Sequence, residues 1–160
     1  MPDPFRFPHH PLRRVIPEQV RANRLQSIED SRKRGTAPFL DAQIQNLIGE
    51  STRRNRPHIV AEARTMMNTL SVDGLTAIQR GMAERPDSVP TLPSIQVPTM
   101  VIAGGEDTLT PVENGQLMQT RIRGAKLTVT PHVGHYAAWE NPEEYSRVVF
   151  QFLEGLVLSR

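Results

Sequence analysis

The sequence predicts an α/β protein in which an all-helical stretch precedes a βαβα unit, and three observations carry that expectation. From Pro17 to about Arg85 the apolar residues recur at helical spacing. Val97-Pro98-Thr99-Met100-Val101-Ile102-Ala103 is instead a continuous apolar run stopped by Gly104-Gly105, the pattern of a parallel strand covered on both faces. Asn141-Pro142-Glu143-Glu144 combines an Asn cap, Pro at the first helical position and two acids facing the helix dipole, so a final helix starts there. The grammar changes near residue 90, which divides residues 17–90 from 91–160.

Residues 1–16 are rich in proline and show no periodicity, which suits an extended or disordered lead-in. Pro17 fits a first helical position, and Val20, Leu25 and Ile28 give a weak stripe running to Arg32-Lys33-Arg34 and Gly35. A second helix follows Thr36-Ala37-Pro38, with Leu40, Ile44, Leu47 and Ile48 on one face and Gly49 as its stop. The third, after Pro57, places Ile59, Ala63, Met66, Met67 and Leu70 on one side. A fourth starts near an Asp73 cap, buries Leu75, Ile78 and Met82, and ends before Pro86. Beyond the first strand, a helix after Pro111 turns Leu117, Met118 and Ile122 inward and stops at Gly124. Lys126–Thr130 is the second strand, and Tyr145, Val148, Val149, Phe152, Leu156 and Val157 form the buried stripe of the last helix. The order βαβα implies a right-handed crossover between parallel neighbours.

Composition excludes several classes of function. In 160 residues, 38% are hydrophobic and 22% charged, enough apolar material for one domain or part of one. No run reaches the roughly 18 apolar residues of a membrane span, and the N-terminus lacks the apolar core of a secretory signal. The absence of cysteine removes disulfides, thiolate metal sites and a cysteine nucleophile, and a cytoplasmic setting is expected. Residues 1–90 hold 14 basic and 10 acidic groups and residues 91–160 hold 5 and 7. The basic clusters Arg32-Lys33-Arg34 and Arg53-Arg54 with Arg56 are interrupted by Glu29, Asp30, Asp41 and Glu50, and aromatic residues make up only 5%. They suit solvated helix ends better than a nucleic-acid surface, so neither nucleic acid nor a membrane is an expected partner. His9-His10 and His132-x-x-His135 lack metal-site spacing, and no glycine-rich phosphate motif occurs, so no metal and no cofactor are expected.

Two polar turns follow the two strands, where open α/β sheets place their sites. One is Gly104-Gly105-Glu106-Asp107-Thr108-Leu109-Thr110-Pro111, the other Pro131-His132-Val133-Gly134-His135. Adjacent parallel strands bring these turns side by side, so Asp107 can receive a hydrogen bond from the His135 ring. That pairing is the acid–base half of a nucleophilic triad. The residues alone favour a structural cap at Asp107 and a surface histidine at position 135, because loop aspartates commonly bond to turn amides.

The stretches VPTMVIAGGEDTLTPVENGQ and IRGAKLTVTPHVGHYAAWENPEEYSRVVFQFL resemble the C-terminal end of the α/β-hydrolase fold. In that family one strand ends in Gly-x-x-Asp-x-x-x-Pro and the next in Gly-His before an Asn-Pro-Glu helix start; the matching positions are Gly104, Asp107, Pro111, Gly134, His135 and Pro142. Residues 17–90 are similar to the helical cap of small esterases and lactonases, including 3-oxoadipate enol-lactonases. The resemblance implies a lead-in at 1–16, a cap at 17–90 and a C-terminal core segment at 91–160. It makes Asp107 the triad acid and His135 the base, with Glu106 a bystander and His132 a loop residue.

The family's serine sits in a Gly-x-Ser-x-Gly elbow ahead of the cap, and no serine here has that setting. Ser51 has Gly49 two before it but Arg53 two after, and Asp73-Gly74 lies in the cap region. The resemblance therefore implies ester or lactone hydrolysis for which this chain holds the Asp and His, the nucleophile half coming from another chain or an upstream region. The alternative is a truncated, non-catalytic product or interaction module. Leu40, Ile44, Met66, Met67 and Trp139 are candidate liners of a small-molecule ester or lactone pocket. The first strand is expected to leave an unpaired edge beside Met100, Val101 and Ile102, which favours self-association or pairing with a complementary N-terminal half.

Overall fold

The computed structural model describes residues 18–158; the expectations for residues 1–16 and for Pro17 lie outside them. The helical part holds α1 (Glu18–Arg34), α2 (Ala37–Leu47), α3 (Glu50–Asn55), α4 (Pro57–Met67) and α5 (Val72–Glu84). A 3₁₀ turn at Val89–Ser94 then leads to β1 (Met100–Gly104), α6 (Val112–Arg121), β2 (Lys126–Thr130), the single turn α7 (Ala137–Glu140) and α8 (Pro142–Val157). Among the described residues no helix is long and apolar enough to cross a membrane.

Local chemistry sets most boundaries. Arg32, Lys33 and Arg34 close α1, where cations complement the helix dipole, and Gly35 takes the left-handed conformation (φ 77°) that ends it. Pro57 opens α4. The cap of α5 is Ser71, whose hydroxyl accepts from the Gly74 amide at 3.0 Å; Asp73 is not the cap but lies in the first turn, where its charge faces the dipole. Asn141 caps α8 by accepting from the Glu144 amide at 3.2 Å.

Strands β1 and β2 pair in parallel, from Met100 opposite Lys126 to Gly104 opposite Thr130, with α6 as the crossover. Helix α6 packs on both strands and α8 reaches β2. Only Ala103 and Gly104 of β1 are buried, while Met100, Val101 and Ile102 stay half-buried. The strand is thus less covered than its continuous hydrophobicity suggests, because among the described residues its far edge has no partner strand.

The core sits between the cap and the segment after β2. Ile44, Ile48, Ile59 and Ala63 are buried together, and Leu47, Val60, Met67, Tyr136 and Trp139 pack against them. Burying each large aliphatic side chain contributes about 1.5–3 kcal/mol, so this cluster fastens α2 and α4 to the Tyr136–Trp139 segment. Four helical stripes differ from expectation. Val20 and Leu25 on α1, Met66 on α4, Ile78 on α5 and Val157 on α8 are exposed. Helices α1 and α5 pack chiefly on each other through a partly polar seam in which Arg24 donates to Gln79, so of their apolar residues only Ile28, Leu75 and Ala83 are buried.

Candidate active site

The ends of β1 and β2 are laced together. Gly105 N–H donates to Thr130 O and Glu106 N–H to Val133 O, both at 2.8 Å. A Cβ on Gly104 would lie 2.0 Å from Gly134 O, so only glycine lets the two turns approach this closely.

Within this contact the Asp107 side chain is almost fully buried, while the His135 side chain is 36% exposed. Asp107 Oδ1 accepts from the amides of Leu109 and Thr110, each at 2.9 Å. Its Oδ2 accepts from the Thr110 hydroxyl and lies 2.9 Å from His135 Nδ1. With Asp107 ionised, the ring proton belongs on Nδ1, which leaves the lone pair on Nε2. Burial raises the Asp107 carboxyl, but the hydroxyl and amide of Thr110 and the His135 ring outweigh it and hold it below the ordinary range.

Glu106 joins this loop to the cap. Its carboxylate accepts from the Ser51 amide at 2.7 Å and the Ser51 hydroxyl at 2.5 Å, with His132 Nδ1 3.7 Å away. Burial raises the Glu106 carboxyl, yet the two Ser51 bonds and His132 bring it below the ordinary range. Glu106, expected to be a bystander, therefore fastens the first turn of α3. His132, expected to be a loop residue, stands exposed with φ 60°.

Of the other candidates, Leu40 and Ile44 are buried in the cap, and Met67 and Trp139 are half-buried against the Ile44 cluster. Met66 is 61% exposed on α4. Tyr136 links Trp139 to the site: its ring centroid lies 6.1 Å from that of Trp139 and 5.9 Å from that of His135. A small cavity between α1 and α2, lined by Ser27, Asp30, Ser31, Arg34 and Phe39 among others, shares no residue with these loops. Among the described residues no cluster of three metal-ligating side chains forms.

Sequence reasoning did not single out Thr110 or Glu140, and it took Gly49 only as a helix stop. Glu140 is wholly buried, and its carboxylate accepts from Gly49 N–H and Gly134 N–H at 2.9 Å each. Its one signal was position: an acid inside Ala137-Ala138-Trp139-Glu140, ahead of the Asn141 cap.

No family model matches the chain. A thermophilic esterase from Thermogutta terrifontis superposes on 91% of it with a TM-score of 0.83 at 32% identity. The chain has the C-terminal part of the α/β-hydrolase fold. The chain spans about half of that esterase, 53% of its length. It is also 30% identical over 84 residues to a pimeloyl-[acyl-carrier protein] methyl ester esterase of Neisseria meningitidis, a match covering 51% of the chain and 27% of that protein. An enol-lactonase from Burkholderia xenovorans shares the fold, with a TM-score of 0.74 over 81% of the chain and 49% of the enzyme at 21% identity. The described residues correspond to a helical cap and the C-terminal βαβα end of the α/β-hydrolase sheet.

Proposed function

We propose that this chain supplies the acid–base half of a Ser-His-Asp site that hydrolyses a small carboxylic ester or lactone. The reading rests on one observation: Asp107 Oδ2 and His135 Nδ1 lie 2.9 Å apart at the carboxyl ends of adjacent parallel strands. Asp107 holds the imidazole in the Nδ1–H tautomer and stabilises its charged form. Nε2 then takes the proton of a serine hydroxyl as its oxygen bonds to the carbonyl carbon, and returns that proton to the departing alkoxide. Water, deprotonated by the same nitrogen, then bonds to the acyl carbon; the serine oxygen leaves, takes that proton back, and the acyl group departs as the acid. Residues 17–90 act as the cap over this chemistry, with Leu40, Ile44, Met66, Met67 and Trp139 as candidate liners.

No serine of the sequence sits in a Gly-x-Ser-x-Gly elbow, so the nucleophile and the oxyanion donors come from residues outside it. A cytoplasmic setting fits the lack of cysteine. A second reading, a non-catalytic partial product that associates with itself or with a complementary half, is favoured by the unpaired β1 edge and the exposed Phe150, Leu153 and Val157.

Hydrolysis of an activated aryl ester by the purified chain, set against free imidazole, tests the division of labour. Negligible excess rate and no labelling by a serine-directed fluorophosphonate are expected. Stoichiometric labelling of any serine would overturn it.

A further inference from the structure

Glu140 has no exposed surface, and the chemistry proposed for Asp107 and His135 makes no use of its carboxyl. A buried carboxylate demands cations or strong donors. Among the described residues no lysine or arginine pairs with it; Arg56 donates instead to the Glu140 backbone carbonyl. The donors it has are two glycine amides. Oε1 accepts from Gly134 N–H and Oε2 from Gly49 N–H, each at 2.9 Å.

Those amides belong to different parts of the protein. Gly134 directly precedes His135, and Gly49 lies between α2 and α3 in the helical part. Their backbones touch: a Cβ on Gly134 would stand 2.4 Å from Gly49 N, and one on Gly49 would stand 2.7 Å from Gly134 N. The next two amides of the loop are held from the same side, since His135 N–H and Tyr136 N–H both donate to Leu47 O, at 2.9 and 3.3 Å. Three consecutive amides, from Gly134 to Tyr136, are thus fixed to Glu140 or to the Leu47–Gly49 segment.

We infer that Glu140 is a positioning residue for His135: its carboxylate locks the Gly134 amide to the Gly49 amide and so fixes the backbone that holds the imidazole against Asp107. The inference rests on the acid–base role proposed for that pair. Charge-assisted bonds from amides to a carboxylate are stronger than neutral ones, and in a buried site their loss is not made good by water. Without the Glu140 carboxylate, Gly134 can part from Gly49, and the His135 ring loses its fixed distance to Oδ2.

The test is proton exchange in the full chain, labelled with ¹⁵N on backbone and histidine, with the His135 signal assigned by His135→Gln. In Glu140→Gln, which keeps the size but leaves one acceptor, the amides of Gly49 and Gly134 are expected to exchange at least tenfold faster. The Nδ1 proton of His135 is expected to exchange at least tenfold faster as well, while the amides of α8 keep their rates. Glu140→Asp, which retains the charge on a shorter arm, falls between the two. A purely structural clamp would release the glycine amides and lower the melting temperature but leave the His135 proton at its original rate; that result overturns the inference. An unsubstituted chain with no protected His135 Nδ1 proton would overturn the acid–base reading itself, although the glycine amides would still report the clamp. If neither variant folds, a denaturant series on the unsubstituted chain decides. There the His135 proton and the Gly134 amide must open together, and independent opening overturns the inference.

Discussion

The backbones of Gly49 and Gly134 lie in direct contact, so close that a Cβ on Gly134 would meet Gly49 N at 2.4 Å. This contact joins the helical part to the loop bearing His135, and the Glu140 carboxylate closes over both amides. Cap and loop are therefore not independent: displacing one of these glycines moves the other.

Gly134→Ala is expected to destabilise the protein by about 1–3 kcal/mol, because the new methyl group meets rigid backbone instead of a flexible side chain. Gly81→Ala is the control. It lies in α5 with nothing within 4 Å of the added carbon and is expected to stabilise by roughly 0.5–1 kcal/mol through helix propensity. Urea unfolding of both variants measures the contrast, and equal effects would contradict the backbone contact.

Thr110→Val keeps the shape of the side chain and removes the hydroxyl that donates to Asp107 Oδ2. The expected loss is roughly 1–3 kcal/mol, the range for a hydrogen bond to a charged group. The Asp107 carboxyl is expected to move up toward its ordinary value, since Thr110 is the strongest of the influences lowering it. Carboxyl ¹³C shifts followed against pH report both the identity and the direction of the change.

Acid is expected to loosen both turns. Glu106 and Asp107 are held below their ordinary values in the folded protein, so the folded state binds fewer protons than the unfolded one. Their contribution is complete above the unfolded values, near about 4, and is lost as pH falls through the lower folded values. Urea unfolding at pH 7, 5 and 3 is expected to show little change from these groups between the first two and a decline at the third. Asp107→Asn removes part of that decline. Stability that rises on acidification would contradict the pairing.

Sedimentation over a concentration series tests the exposed surfaces. The far edge of β1 is unpaired among the described residues, and Phe150, Leu153, Val157 and Leu158 are exposed on or just after α8. Self-association that increases with concentration is expected. A compact monomer at every concentration, unfolding cooperatively, would show that these surfaces are tolerated in water.

The site was legible where its chemistry is local. Asp107 and His135 each follow a strand whose apolar run and stop signal stand in the sequence, and parallel pairing of those strands brings the two turns together. The Glu140–Gly49 and Glu106–Ser51 bonds span 91 and 55 residues, and no local pattern encodes such separations. Gly49 was expected to stop a helix, but whether anything packs on it depends on a loop 85 positions further on. Val20 and Leu25 were misread for a related reason: periodicity marks a face of α1, while burial depends on the size of the partner, and α5 meets only part of that face.

The most direct test of the central claim substitutes this chain for the part of the Thermogutta terrifontis esterase that it superposes on and measures aryl-ester turnover by the hybrid. The hybrid is expected to hydrolyse the ester, with His135→Gln lowering kcat by up to about 10⁶ and Asp107→Asn by about 10⁴, KM changing little in either case. A folded hybrid that turns over equally well with His135→Gln would contradict the assignment of Asp107 and His135 as its acid–base pair.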